Sequence, residues 1–99
     1  DYEPISAAIY FDVMEMGGGE LPDQVKSMIA RSISTPLLLV FRGVESSWTA
    51  RLVASKGRIV AAEFKSGSMR AGRSALGELK SINGKAIFMA FPARRVERG

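Results

Sequence analysis

Neither cysteine nor histidine occurs in this chain of 99 residues. That double absence constrains the fold more than any motif does. It removes the disulfide frame and the zinc cluster that many small domains use as staples, so the chain must stand on its own apolar core. A polypeptide of 10.7 kDa can do so, since at this size folding removes roughly 65% of the unfolded surface from water. With 46% hydrophobic and 24% charged residues, the composition is that of one globular domain, 1–99, and not of a disordered segment. The same absence removes the thiolate nucleophile, the Ser-His-Asp triad and the imidazole base. No enzyme activity, catalytic residue or cofactor is therefore expected.

The hydrophobic pattern predicts the elements. From Ile5 to Met16, the side chains Ile5, Ala7, Ile9, Phe11 and Val13 alternate with Ser6, Ala8, Tyr10, Asp12 and Met14. Period two over this length reads as a strand with one buried face. Gly17-Gly18-Gly19 ends it. Pro22 and Asp23 then open a helix over 22–33, with Val25, Met28, Ile29 and Ile33 at helical spacing. Leu37 to Phe41 is a fully apolar strand, and Ser47 to Ala54 is a second, with Trp48, Ala50, Leu52 and Ala54 on one face. Ser55-Lys56-Gly57 is a tight turn into a third, Arg58 to Phe64. Ser68 is placed to cap a second helix that runs to about residue 82, lined by Ala71, Ala75, Leu76, Leu79 and Ile82. Lys85 to Phe91 forms a last strand closed by Pro92, and residues 93–99 form a frayed basic tail. The predicted class is α+β, in the order β-α-β-β-β-α-β, with an antiparallel sheet packed by two helices.

Charge is unevenly spread. Residues 1–25 hold six acids and no base, whereas residues 26–99 hold all 14 bases and four acids, so the two parts carry −6 and +10. Regions of opposite sign pair within the fold, with another copy, or with an anionic partner. The first strand is also apolar or aromatic on both faces (Tyr10, Phe11, Met14, Met16), more than a small two-layer fold covers. Leftover apolar surface marks a partner. Both observations predict a symmetric homodimer in which the acidic segment of one copy meets the basic remainder of the other.

Four constellations suggest chemistry. The triple glycine between strand and helix lacks the Walker spacing, and Glu15, Glu20 and Asp23 around it repel phosphate, so it is read as a connector. Lys65, Ser68, Arg70 and Arg73 cluster at the start of the second helix, a candidate anion site. Asp12, Glu15, Glu20 and Asp23 show no calcium-type spacing, and no metal is expected. Arg42, Arg51, Arg58, Arg94, Arg95 and Arg98, with Trp48 or Phe41 for stacking, are the residues a nucleic acid would use.

The stretches Lys56-Gly57-Arg58-Ile59-Val60-Ala61-Ala62-Glu63-Phe64, Gly72-Arg73-Ser74-Ala75-Leu76-Gly77-Glu78-Leu79 and Gly84-Lys85-Ala86-Ile87-Phe88-Met89-Ala90-Phe91 together resemble the PATAN-type domain. That family has a G-(K/R)-I-V-x-A strand, a G-x-x-A-L-x-x-L helix and a closing G-x-F-x-F strand. The likeness covers about residues 20–91 and departs from the pattern at Ile87-Phe88, where the aromatic alternation is broken. It implies a non-catalytic interaction module of prokaryotic signalling or regulatory proteins, and it carries over no site residue.

Asn and Gln occur once each, at Asn83 and Gln24, and Arg outnumbers Lys nine to five. Depletion of thermolabile side chains points to a thermophilic source. The start at Asp1 is expected to be trimmed or processed. No apolar run approaches the roughly 20 residues of a membrane helix, and no export pattern is visible. A cytoplasmic protein with a protein partner, preferably a second copy, is expected; a small basic nucleic-acid-binding protein is the alternative.

Overall fold

The order of elements follows from where the chain can turn. In the computed structural model, which describes residues 1–97, Lys56 and Gly57 both take positive φ, 55° and 80°. This is the two-residue geometry that matches the twist of antiparallel strands. The turn joins β4 (Thr49–Ser55) to β5 (Arg58–Ser66). With β3 (Leu37–Gly43) beside β4, these strands form the expected meander. Ahead of it lie β1 (Tyr2–Pro4), β2 (Tyr10–Met16) and α1 (Asp23–Ala30). After it come β6 (Ser68–Ala71), α2 (Gly72–Ser81) and β7 (Gly84–Arg95). The order β-α-β-β-β-α-β is present, with two short strands, β1 and β6, added to it.

The seven strands of the described residues form one antiparallel sheet. Its centre is β7, which pairs with β3 on one edge and with β2 and then β1 on the other. Order then runs outward through β3, β4, β5 and β6. Both helices lie on the same face. α1 buries Val25 and Met28, and α2 buries Ala75 and Leu79, against Leu39, Phe41, Leu52, Phe64 and Phe88. Phe41 stacks on Phe88 with ring centroids 4.9 Å apart, and Trp48 stacks on Phe64 at 5.5 Å. Gly43 has no side chain because none would fit: a Cβ there would lie 2.5 Å from the Ser46 carbonyl oxygen and closer still to the Trp48 indole.

Ser32, fully buried, ties the helix layer to the turn. Its hydroxyl donates to the Ile29 carbonyl and accepts the Gly57 N–H, while its own carbonyl accepts the Lys56 N–H at 2.7 Å. One buried residue thus joins the end of α1 to the hairpin, its hydroxyl satisfying the Gly57 N–H and its carbonyl the Lys56 N–H.

Several expectations are corrected. The helix over 22–33 is shorter: it starts at Asp23 and ends at Ala30, so Ile33 lies outside it and is exposed. Ser68 caps nothing, because Ser68 to Ala71 pairs with β5 and α2 starts at Gly72 without a side-chain cap. The strand expected from Ile5 begins at Tyr10, since residues 5–9 bulge away between two short contacts to β7, Ile5 N–H to the Pro92 carbonyl and Ile9 N–H to the Ala90 carbonyl. That bulge explains why Pro92 continues β7 instead of closing it. Ala93 donates toward the β3 side, to the Pro36 carbonyl, so the donor that proline lacks would face the bulged segment. The tail over 93–99 is not frayed where the structure describes it. Residues Ala93 to Arg95 pair with β1, Ala93 is buried, and the Val96 N–H donates to the Asp1 carbonyl. Residues 98 and 99 lie outside the described residues.

Candidate protein-contact face

Register divides every strand between two faces of the sheet. Tyr10, Asp12, Met14 and Met16 of β2 point toward the helices, with Met14 and Met16 buried. The apolar set Ile9, Phe11 and Val13 therefore points the other way, opposite to the burial its alternation invites, and is 56%, 62% and 51% exposed. Apolar residues on both faces of β2 made the choice undecidable from the strand alone. Pairing with β7 decides it, because Met14 sits opposite Ala86 and Asp12 opposite Phe88, both under the helices.

The outer face can be followed row by row through the register. Phe11 neighbours Met89, then Val40, Arg51 and Glu63. Val13 neighbours Ile87, then Arg42, Thr49 and Lys65. Phe91 neighbours Leu38 and Val53, which form a small cluster with Ala93 under Tyr2 and Val40. Neither helix covers this face. It is apolar over β2, β7 and the near side of β3, and charged over β4 and β5. Glu15 and Lys85 are opposite neighbours at one corner.

The sequence-predicted residues scatter over this frame. Lys65 lies on the outer face of β5, whereas Arg70 belongs to the other face of β6 and holds Ser74 Oγ at 3.2 Å and Glu78 at 3.7 Å. Arg73 is in the first turn of α2 and Ser68 begins β6. The four do not converge, and Arg70 is already engaged by α2. Of the basic set, Arg42 and Arg51 share the outer face and are exposed, and Arg95 shares it at the far end of β7. Arg94 points to the opposite side, with its guanidinium on Glu3 at 2.6 Å. Arg58 follows the turn, and Arg98 lies outside the described residues. Trp48 and Phe41, the proposed stacking residues, are buried and cannot receive a base. The exposed aromatic on this surface is Phe11, which the nucleic-acid reading of the sequence did not include.

Asp12 is held locally. Its carboxylate accepts the Val13 N–H at 2.8 Å, the Tyr10 hydroxyl at 3.2 Å and the Gln24 amide at 3.4 Å. The Tyr10 phenol is pushed above its ordinary range, first by withdrawal from water and then by the hydrogen bond and negative charge of Asp12. Among the described residues, no three acids come together as a metal site. A shallow cleft of about 490 Å³ beside the 44–48 loop brings Arg42 and Lys65 near Thr49 and Glu45. No buried side-chain oxygen or nitrogen lacks a partner among the described residues. The residues that sequence reasoning missed are Ile87, Met89 and Val40; their signal is β7 register, which cannot be read before β7 is known to be central. Within the described residues, no helix is long and apolar enough to cross a membrane.

The chain matches no family model, no curated protein and no solved structure.

Proposed function

We propose that this domain is a non-catalytic protein-contact module whose working surface is the helix-free face of its sheet. One observation carries the reading: Ile9, Phe11 and Val13 stand more than half exposed beside Ile87, Met89 and Val40 on a face that neither helix covers. Continuous apolar surface of this kind on a small domain is characteristic of an interface. The resemblance to PATAN-type modules supports a signalling or regulatory setting in a prokaryote. The scarcity of Asn and Gln supports a thermophilic one, and the cytoplasm is the proposed location. A photo-cross-linker at position 11 tests the reading. It is expected to capture a protein in the native host, whereas one at Arg73, exposed on α2 on the opposite side of the sheet, is not. Equal capture at both positions, or at neither, overturns the reading.

Arg42 and Arg51 on the same face as Phe11 favour a second reading, a surface for single-stranded nucleic acid. Phosphate contacts make affinity fall steeply with salt. Binding of a mixed-sequence oligonucleotide that weakens at least tenfold between low and moderate salt, and with Arg42→Ala, would favour it. Absence of binding at low salt removes it.

A further inference from the structure

Resting on the contact-face reading, we infer that the occupant of this face is a second copy of the chain, packed sheet on sheet about a two-fold axis that runs along β7. Three observations lead there. The first is area. Ile9, Phe11 and Val13, with half-buried Val40, Ile87, Met89 and Phe91, expose on the order of 500 Å² of apolar surface. A standard interface covers about 800 Å² per partner, a little over half of it apolar, so this patch supplies what one partner needs.

The second is symmetry. β7 lies in the middle of the apolar region, with β2 on one side and β3 on the other. An axis along β7 on the outer face exchanges these flanks between copies. Phe11 of each copy then lies over Val40 of the other, while Ile87, Met89 and Phe91 meet their own counterparts near the axis. Such stacking gives the aligned packing of a sandwich, with the helices of both copies outermost.

The third is charge. The same operation carries Glu15, at the end of β2, to the neighbourhood of Arg42 on β3 of the other copy. Among the described residues of their own copy, the side chains of Glu15 and Arg42 make no hydrogen bond or ion pair. Two-fold symmetry supplies the contact twice, acid to base and base to acid. The acidic first segment of one chain thereby meets the basic remainder of the other. Other axes do less: one perpendicular to β7, through Met89, lays the Arg42 end of β3 over Leu38.

Sedimentation velocity over a concentration series tests this on the wild-type chain, on Glu15→Lys, on Arg42→Glu and on an equimolar mixture of the two variants. The wild type is expected to dimerise. Each variant alone places like charges at both contacts and is expected to weaken association by roughly tenfold or more. The mixture restores both contacts: the introduced lysine of one variant faces the introduced glutamate of the other, and the remaining Arg42 faces the remaining Glu15. It is expected to recover wild-type affinity as a heterodimer. Phe11→Asp is expected to abolish association, and its circular dichroism should match the wild type because the side chain is on the surface. A dimer indifferent to both charge reversals, or a mixture no tighter than its components, overturns the assigned axis. A strictly monomeric wild type overturns the second copy altogether. If that monomer still captures another protein through position 11, the contact-face reading stands and only the occupant changes; if it captures nothing, both fail.

Discussion

The two faces of one sheet use the same kinds of residue to opposite ends. On the inner face Phe41, Phe88 and Leu39 are completely shielded by α1, α2 and one another. On the outer face Phe11 and Val13, two strands from Phe41, remain more than half exposed. The inner face holds most of the chain together, with a small buried cluster of Leu38, Val53 and Ala93 on the other side. The exposed Phe11 and Val13 end of the outer face contributes little to folding and is free to serve contact. Hydrophobicity alone does not make a core. Residues become core when other side chains close over them.

That contrast can be broken by substitution. Phe88→Ala removes a ring with no room to collapse around it and is expected to cost about 3–5 kcal/mol, read by chemical denaturation. Phe11→Ala, measured at concentrations where copies do not associate, is expected to stay within about 0.5 kcal/mol. Comparable losses at the two positions would show that the outer patch is structural. Gly43→Ala comes next, at about 1–3 kcal/mol, because the new methyl meets the Ser46 backbone as well as the Trp48 ring. A loss of native Trp48 fluorescence at unchanged fold would sharpen the assignment to that contact.

Smaller effects probe the margins of the two faces. Lys56 holds φ 55°, a conformation that costs side chains other than Asn, Asp and Gly. Lys56→Asn is expected to raise stability by roughly 0.5 kcal/mol, visible as a higher denaturation midpoint. At the inner edge of β2, Tyr10 has its phenol pKa raised in the folded state by burial and by Asp12. The folded chain therefore holds that proton longer than the unfolded chain. The associated stability is present below the unfolded phenol pKa and is lost as pH rises through the folded one. In a Tyr2→Phe background, ultraviolet titration of Tyr10 is expected to move to lower pH with Asp12→Asn.

Local patterns carried much of this fold into view. Trp48, Ala50, Leu52 and Ala54 alternate without ambiguity, and all four are buried as their spacing demands. Ser55-Lys56-Gly57 marked the hairpin because Gly57 takes positive φ freely; that Lys56 takes it too was not legible, since lysine does not favour it. What stayed hidden depends on partners far along the chain. The Arg94 guanidinium meets Glu3 across 91 positions, so a basic tail that looks loose in isolation becomes a paired strand. The inward face of β2 is set by Ala86 and Phe88, not by its own alternation. Ser68 has the side chain of a good cap, but pairing with Ser66 across Gly67 makes it the start of an edge strand. The exposed apolar patch was legible only as an excess of apolar residues on β2. Its extent over Ile87, Met89 and Val40 required three strands to be set side by side.

The central place of β7 has a consequence for synthesis. Every strand pair of β1 and β2 is made with residues 84–95, so while a ribosome is still adding α2 those two segments have nothing to zip onto. The nascent chain can close its β3–β4–β5 meander early, from short-range pairings, but β1 and β2 must wait, oily and unpaired, for residues 84–95 to emerge. Pausing translation just before residue 84 would hold the protein in that vulnerable form, where a chaperone has its best chance to bind.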